Sequence, residues 1–213
     1  RSDRATQFSK TLVLPRSASA PALLETPASL REGLVELRTE LVLSVESNRL
    51  RTILISGIQS GDGASFVARH LSRLCAEYSR LRIALIVIEG QRSIIRRSRR
   101  TTDQNLNLLL RRTEAANLQE LTSTGGNITL SELLAETDMG IFMTHMKQNF
   151  DLVLMDVPSV ATHSETVLLA AQADGVILVA QCNVTPLKQI DQVYQRLSKA
   201  KAQVLGVVFN RHN

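Results

Sequence analysis

The residues best suited to chemistry lie in the run Gly57-Ile58-Gln59-Ser60-Gly61-Asp62-Gly63-Ala64-Ser65. The run follows a short apolar stretch, Ile53-Leu54-Ile55, and leads into a helix-patterned segment that reaches about Tyr78, after which a second apolar stretch runs from Ile83 to Ile88. Strand, glycine turn, helix and strand in that order make a phosphate-binding βαβ unit. In such a unit, backbone N–H groups at a helix N-terminus cradle phosphate, and a lysine neutralises the β/γ-phosphate charge. Gly61, Asp62, Gly63, Ala64 and Ser65 are therefore the candidate nucleotide-binding residues. The lysine position holds Ala64, so the loop keeps its backbone and lacks its ammonium.

The elements that must hold this loop are legible as periodic segments. From Leu30 to Val45 the apolar residues Leu30, Leu34, Leu37, Leu41 and Val45 recur at spacings of three and four, one face of an amphipathic helix. A helical pattern opens at Leu130 and runs to about Gln148, and a third apolar strand, Leu152 to Met155, ends in Asp156. Val157-Pro158-Ser159 forces an extended exit, because proline restricts the residue before it. A short helix over Glu165–Ala173, a strand over Gly175–Val179, a helix over Pro186–Ala200 and a strand over Val204–Phe209 complete the chain. Strands apolar throughout that alternate with helices predict a mostly parallel sheet covered on both faces, with ligand at the carboxyl ends of the strands.

At 213 residues with 44% apolar composition, the chain is large enough for one domain with a full core. Residues 1–29, with Pro15, Pro21, Pro27 and many Ser, Ala and Thr, read as a flexible arm, although Leu12-Val13-Leu14 is a short apolar patch able to dock. No apolar run approaches the roughly 18 residues of a membrane-spanning helix, and no signal-peptide pattern is present. The chain opens on Arg1 rather than Met, which leaves room for an upstream membrane segment. Cys75 and Cys182 have no metal or redox spacing and read as core or near-core residues of a reducing compartment. The net charge of +5 is concentrated in Arg92, Arg96, Arg97, Arg99 and Arg100. That cluster is either a solvated face or a surface for phosphates, an acidic partner or an anionic membrane. Aromatic residues at 3% and no Trp leave no stacking platform, so nucleic acid is not an expected partner.

Several stretches resemble the bacterial tyrosine autokinases of capsule and exopolysaccharide synthesis, a branch of the P-loop ATPases that includes the partition and septum-site ATPases. Phe150-Asp151-Leu152-Val153-Leu154-Met155-Asp156-Val157-Pro158 is similar to the family's Walker B segment, and Ala173-Asp174-Gly175-Val176-Ile177-Leu178-Val179 and Val204-Leu205-Gly206-Val207-Val208-Phe209-Asn210 to its last two strands. Leu37-Arg38-Thr39 and Ser131-Glu132-Leu133-Leu134 are similar as well. The resemblance covers roughly residues 30–210. It implies a three-layer α/β/α P-loop fold, with residues 30–213 as the autokinase-type domain.

For the site, the resemblance implies ATP or ADP with Mg²⁺ as cofactor, Ser65 and Asp156 as metal ligands, and Asn210 at the nucleotide base. Glu89 and Gln91 stand where the family has two aspartates, and Glu89 could still reach a hydrated ion. Ile58 replaces a small loop residue, Ala64 replaces the lysine, and no tyrosine cluster closes the chain, whose tyrosines are Tyr78 and Tyr194. Glu32, Val35 and Arg38 occupy positions where ring-forming members carry Glu, Arg and Arg, so the family's ring is not expected and a homodimer stays open.

The resulting expectation is a catalytically degenerate, autokinase-like protein that binds nucleotide weakly or not at all. It would regulate exopolysaccharide synthesis or export from the inner face of the bacterial inner membrane, by binding a membrane polysaccharide co-polymerase or an active kinase paralogue. The alternatives are an active autokinase or ATPase with a relocated cation such as Arg92, and a partition or septum-positioning ATPase.

Overall fold

Each apolar run expected as a strand is one, because a strand buried on both faces must be apolar at every position rather than at alternate ones. A computed structural model describes residues 12–14, 28–88, 111–122 and 139–210. In chain order the elements are β1 (Leu12–Leu14), α1 (Ala28–Glu46), β2 (Thr52–Gly57), α2 (Ala64–Tyr78), β3 (Ile83–Val87), β4 (Arg111–Arg112) and β5 (Leu118–Thr122). They continue with α3 (Met139–Asn149), β6 (Leu152–Val157), α4 (Ser164–Ala170), β7 (Gly175–Gln181), α5 (Leu187–Lys199) and β8 (Val204–Asn210). Among the described residues the sheet has eight strands in the order β1-β8-β7-β2-β6-β3-β5-β4. All neighbours are parallel except β4 and β5.

Alternation along each central strand sorts side chains into two cores. Ile53, Ile55, Leu152, Leu154, Ile177 and Val179 face α1 and α2, where Leu34, Leu41, Val67, Leu71 and Cys75 close over them. Leu54, Val153, Met155, Val176 and Leu178 face the other way, under Phe142 and Met146 of α3, Leu169 of α4, and Val193 and Leu197 of α5. The architecture is therefore three-layered α/β/α, as expected. Burying a side chain of the Leu or Ile kind contributes about 1.5–3 kcal/mol, so these two layers dominate stability.

The sheet also contains strands the periodicity does not announce. Within the stretch expected as an arm, Leu12–Leu14 pairs in parallel with Val208–Asn210 of β8. β4 and β5 lie in a region with no readable pattern; β5 reads Leu-Gln-Glu-Leu-Thr, polar in its middle, because it sits near a sheet edge with only β4 outside it. Asn117 anchors its turn by donating from Nδ2 to the carbonyls of Ala76, Ser79 and Leu81 where α2 ends. The part of the expected helix at 130–138 lies outside the described residues, as do Glu89, Gln91 and the arginine cluster Arg92–Arg100.

At the amino ends of the strands, Asp174 ties three elements together. Its carboxylate accepts the backbone N–H of Arg51 and Thr52 and the Thr52 hydroxyl, each at 2.9 Å, and Lys147 Nζ at 2.8 Å. Burial pushes this carboxyl up, but the bonds from Lys147, Thr52 and Arg51 outweigh it and hold the group below the usual carboxylate range.

Cys75 faces the α2 core, and burial pushes its thiol up to about 12, against a smaller opposing pull from Arg38. The thiolate is the reactive form. Cys75 is thus expected to resist alkylation by iodoacetamide in the folded protein and to react only after urea is added; labelling read by intact-mass spectrometry checks this.

Candidate functional site

β2 delivers the chain to the carboxyl end of the sheet at Gly57, and the loop that follows is stitched on both sides before it reaches α2. Ile58 N–H donates to Val179 O at 2.8 Å, while Val160 N–H and Ala161 N–H donate back to Gly57 O and Ile58 O at 3.2 and 3.3 Å. The side chain of Ile58 is fully buried in the core on the α3–α5 side. Ser56 and Thr166 hydroxyls both donate to Pro158 O, at 2.9 and 3.0 Å, which locks the extended exit from β6 beside the loop.

Gly61 and Gly63 have φ of +93° and +92°, the left-handed region that L-residues avoid. This double turn lets the carboxylate of Asp62, 4% exposed, fold back inside the loop. Its Oδ2 accepts Gln59 N–H at 2.7 Å, and its Oδ1 accepts the Thr185 hydroxyl at 3.0 Å. Thr185 Oγ1 in turn accepts Gln181 N–H at 2.8 Å. A hydrogen bond from Gln59 Nε2 to Gln189 Oε1 of α5 adds a second tie. Asn210, buried at the end of β8, donates from Nδ2 to Asp62 O at 3.1 Å, and its own carbonyl accepts Cys182 N–H at 2.7 Å.

The candidate residues are therefore partly gathered. Gly61, Asp62, Gly63, Ala64 and Ser65 form one loop that runs into the first turn of α2, with Ser65 exposed there. Among the described residues, the backbone N–H groups of Ser60, Gly61, Gly63, Ala64 and Ser65 enter no hydrogen bond. Asp156 is buried on β6, in register with Ile55 and Val87, and its place in the alternation puts it on the α2 side of the sheet. Asn210 is held against the loop backbone. Glu89 lies outside the described residues. Thr185, Gln59 and Gln189 are loop partners that the sequence pattern does not flag.

Whether nucleotide fits can be judged from these atoms. The open N–H groups suit a phosphate, and Ser65 and Asp156 suit a hydrated Mg²⁺. Charge does not match, since no Lys or Arg occurs from Gly57 to Ala68 and the carboxylate within the loop is Asp62. The nearest basic residue along α2, Arg69, pairs with Glu120 at 3.2 Å.

Away from the loop, the α1 triple is only partly described. Val35 and Arg38 are half-buried; the Arg38 guanidinium lies 5.1 Å from the Tyr78 ring centroid and donates to Thr39 Oγ1 at 2.9 Å.

A mostly parallel sheet in an α/β/α sandwich, with a glycine loop heading α2 and an aspartate at the carboxyl end of the adjacent strand, defines a P-loop ATPase-type fold. The homologues of this chain are bacterial tyrosine-protein kinases. EpsB of Ralstonia nicotianae is 26% identical over 190 residues, covering 84% of this chain and 25% of the relative. The tyrosine-protein kinase ptk of Acinetobacter johnsonii is 23% identical over 190 residues, covering 84% and 26%. The chain thus spans about a quarter of the length of these curated relatives. Among solved structures, the kinase domain of the Escherichia coli tyrosine kinase ETK superposes with a TM-score of 0.77 at 19% identity, covering 97% of this chain and 90% of that one. The BceF tyrosine kinase domain gives 0.74 at 25% identity, covering 88% and 80%. The septum site-determining protein MinD of Pyrococcus horikoshii, solved with Mg-ADP, gives 0.57 at 18% identity, covering 76% and 70%. No protein-family model matches the chain. No helix among the described residues is long and apolar enough to cross a membrane.

Proposed function

We propose that this chain is a kinase-like domain whose phosphate loop is a degenerate Walker A motif and which acts by binding rather than by phosphoryl transfer. The observation that carries the reading is Ala64 at the head of α2, in a loop that is otherwise formed and has open backbone donors. Phosphoryl transfer depends on positioning and on charge stabilisation at the transferred group. Losing one preorganised donor costs about 3–4 kcal/mol in the transition state, more than a hundredfold in rate. The retained scaffold, with the kinship to tyrosine kinases of the EpsB kind, supports a role in regulating exopolysaccharide synthesis or export. Its partner would be a membrane co-polymerase or an active kinase paralogue, met at the inner face of the bacterial inner membrane.

Calorimetric titration with ATP and ADP in the presence of Mg²⁺, beside an autophosphorylation assay, tests the reading. The expected result is weak or absent nucleotide binding and no phosphotyrosine. Magnesium-dependent ATP turnover that disappears in Asp156→Ala would overturn it.

A further inference from the structure

Arg38 and Tyr78, where α1 meets the end of α2, take no part in the glycine loop, yet one of them is chemically unfinished. A guanidinium carries five N–H donors and no acceptor. Arg38 is half-buried and its guanidinium carbon lies 5.1 Å from the centre of the Tyr78 ring. Nη2 donates to Thr39 Oγ1 at 2.9 Å, but Nε is buried without an acceptor, and among the described residues no carboxylate pairs with the group. No other buried side-chain donor or acceptor among the described residues is left in that state. Buried donors without an acceptor are rare in native structures, and an anion that arrives later is one way of supplying it. The acceptor such a fork matches best is a carboxylate or a phosphate, held by two parallel N–H bonds. Tyr78 can bring one. It is the last residue of α2, 52% exposed, and the chain turns extended at Ser79, with φ −139° and ψ 164°. A phosphoryl group on its Oη would be carried by the same ring that Arg38 already touches.

We propose that Tyr78 is a phosphorylation site whose phosphate is received by Arg38, so that modification fastens the end of α2 to α1. In the step, Tyr78 Oη attacks the γ-phosphorus of ATP held by an active tyrosine kinase. The bond from that phosphorus to the β,γ-bridging oxygen breaks, ADP leaves, and the phenol proton passes to the kinase. The product carries a charge of about −1.5 to −2 and three acceptor oxygens. At the C-terminus of a helix such a charge is unfavourable on its own. Arg38 reverses that sign, which a merely exposed tyrosine would not show. Tyr78 is thereby a substrate of an active kinase paralogue, which rests on the reading of Ala64 given under the proposed function.

For the test, the full chain, Tyr78→Phe and Tyr194→Phe are incubated with Mg-ATP, with and without the kinase domain of the Escherichia coli tyrosine kinase ETK, and phosphate is mapped by peptide mass spectrometry. Tyr194, 40% exposed, is the chain's other tyrosine and serves as the internal control. The expected result is kinase-dependent phosphate on Tyr78, lost in Tyr78→Phe and kept in Tyr194→Phe. In parallel, chains with phosphotyrosine encoded at position 78 are melted with Arg38 in place or with Arg38→Gln, each against its own unmodified form. Phosphate should raise the melting temperature by about 3 °C or more with Arg38 and lower it in Arg38→Gln. Phosphate on neither tyrosine, or on Tyr194 alone, would overturn the site. A shift of the same sign and size in both backgrounds would overturn the role of Arg38. Phosphate that appears without added kinase would overturn the reading of Ala64 instead.

Discussion

Gly63→Ala is expected to destabilise the protein by about 2–5 kcal/mol, more than the same change two residues earlier. A Cβ at position 63 would stand 2.0 Å from Asn210 Nδ2, and the residue would have to keep a φ of +92°. The left-handed conformation alone costs about 1–2 kcal/mol for an L-residue. Moving Asn210 aside breaks its bond to Asp62 O and strands a buried carbonyl, which costs about 1–3 kcal/mol. Gly61→Ala shares the conformational cost, with φ at +93°, but a Cβ there meets nothing within 4 Å. Its expected loss is only the first part, about 1–2 kcal/mol. Urea melts of both variants check the difference. Because Gly63 and Asn210 are in contact, Gly63→Ala and Asn210→Ala should combine less than additively, and full additivity would mean that the clash is relieved elsewhere.

Asp174→Ala is expected to cost about 2–3 kcal/mol, since it strands the N–H groups of Arg51 and Thr52 and leaves Lys147 without its partner. For a domain of this size that corresponds to a fall in melting temperature of about 5–10 °C. The loss should depend on pH with a definite sign. The folded-state pKa of Asp174 is depressed, so its contribution is fully present above the ordinary aspartate value near about 4 and disappears as pH falls through the lower folded value. Wild type and Asp174→Ala should therefore differ most at neutral pH and converge in acid. Melting curves between pH 7 and pH 3 check this, and a gap that stays constant across the range would refute the assignment.

What could be read in the amino-acid chain follows from how physical signals are distributed along it. β2, β3, β6, β7 and β8 are readable because central parallel strands are apolar on both faces, and α1, α2 and α5 because they bury one stripe each. β5 escapes notice because its edge position tolerates Gln119 and Glu120, and β4 because two arginines have no strand signature. The loop is legible as a glycine turn with an alanine where an ammonium belongs. Its internal bracing is not, because Asp62 meets Thr185 and Asn210 across 123 and 148 residues of sequence, and no local pattern encodes contacts of that range. One cue was available: an aspartate between two glycines is the composition of a turn that folds a carboxylate back on its own backbone.

The three-residue strand Leu12–Leu14 has a practical corollary. It lies against β8, whose other side is occupied by β7, so it is what stands between that outermost long strand and neighbouring molecules. A version trimmed to begin at Ala28 would leave the hydrogen-bonding groups of Val208 to Asn210 bare, and bare strand margins recruit other chains. Shortened preparations should accordingly be stickier in solution than those that retain residues 12–14, even with every helix and the phosphate loop untouched.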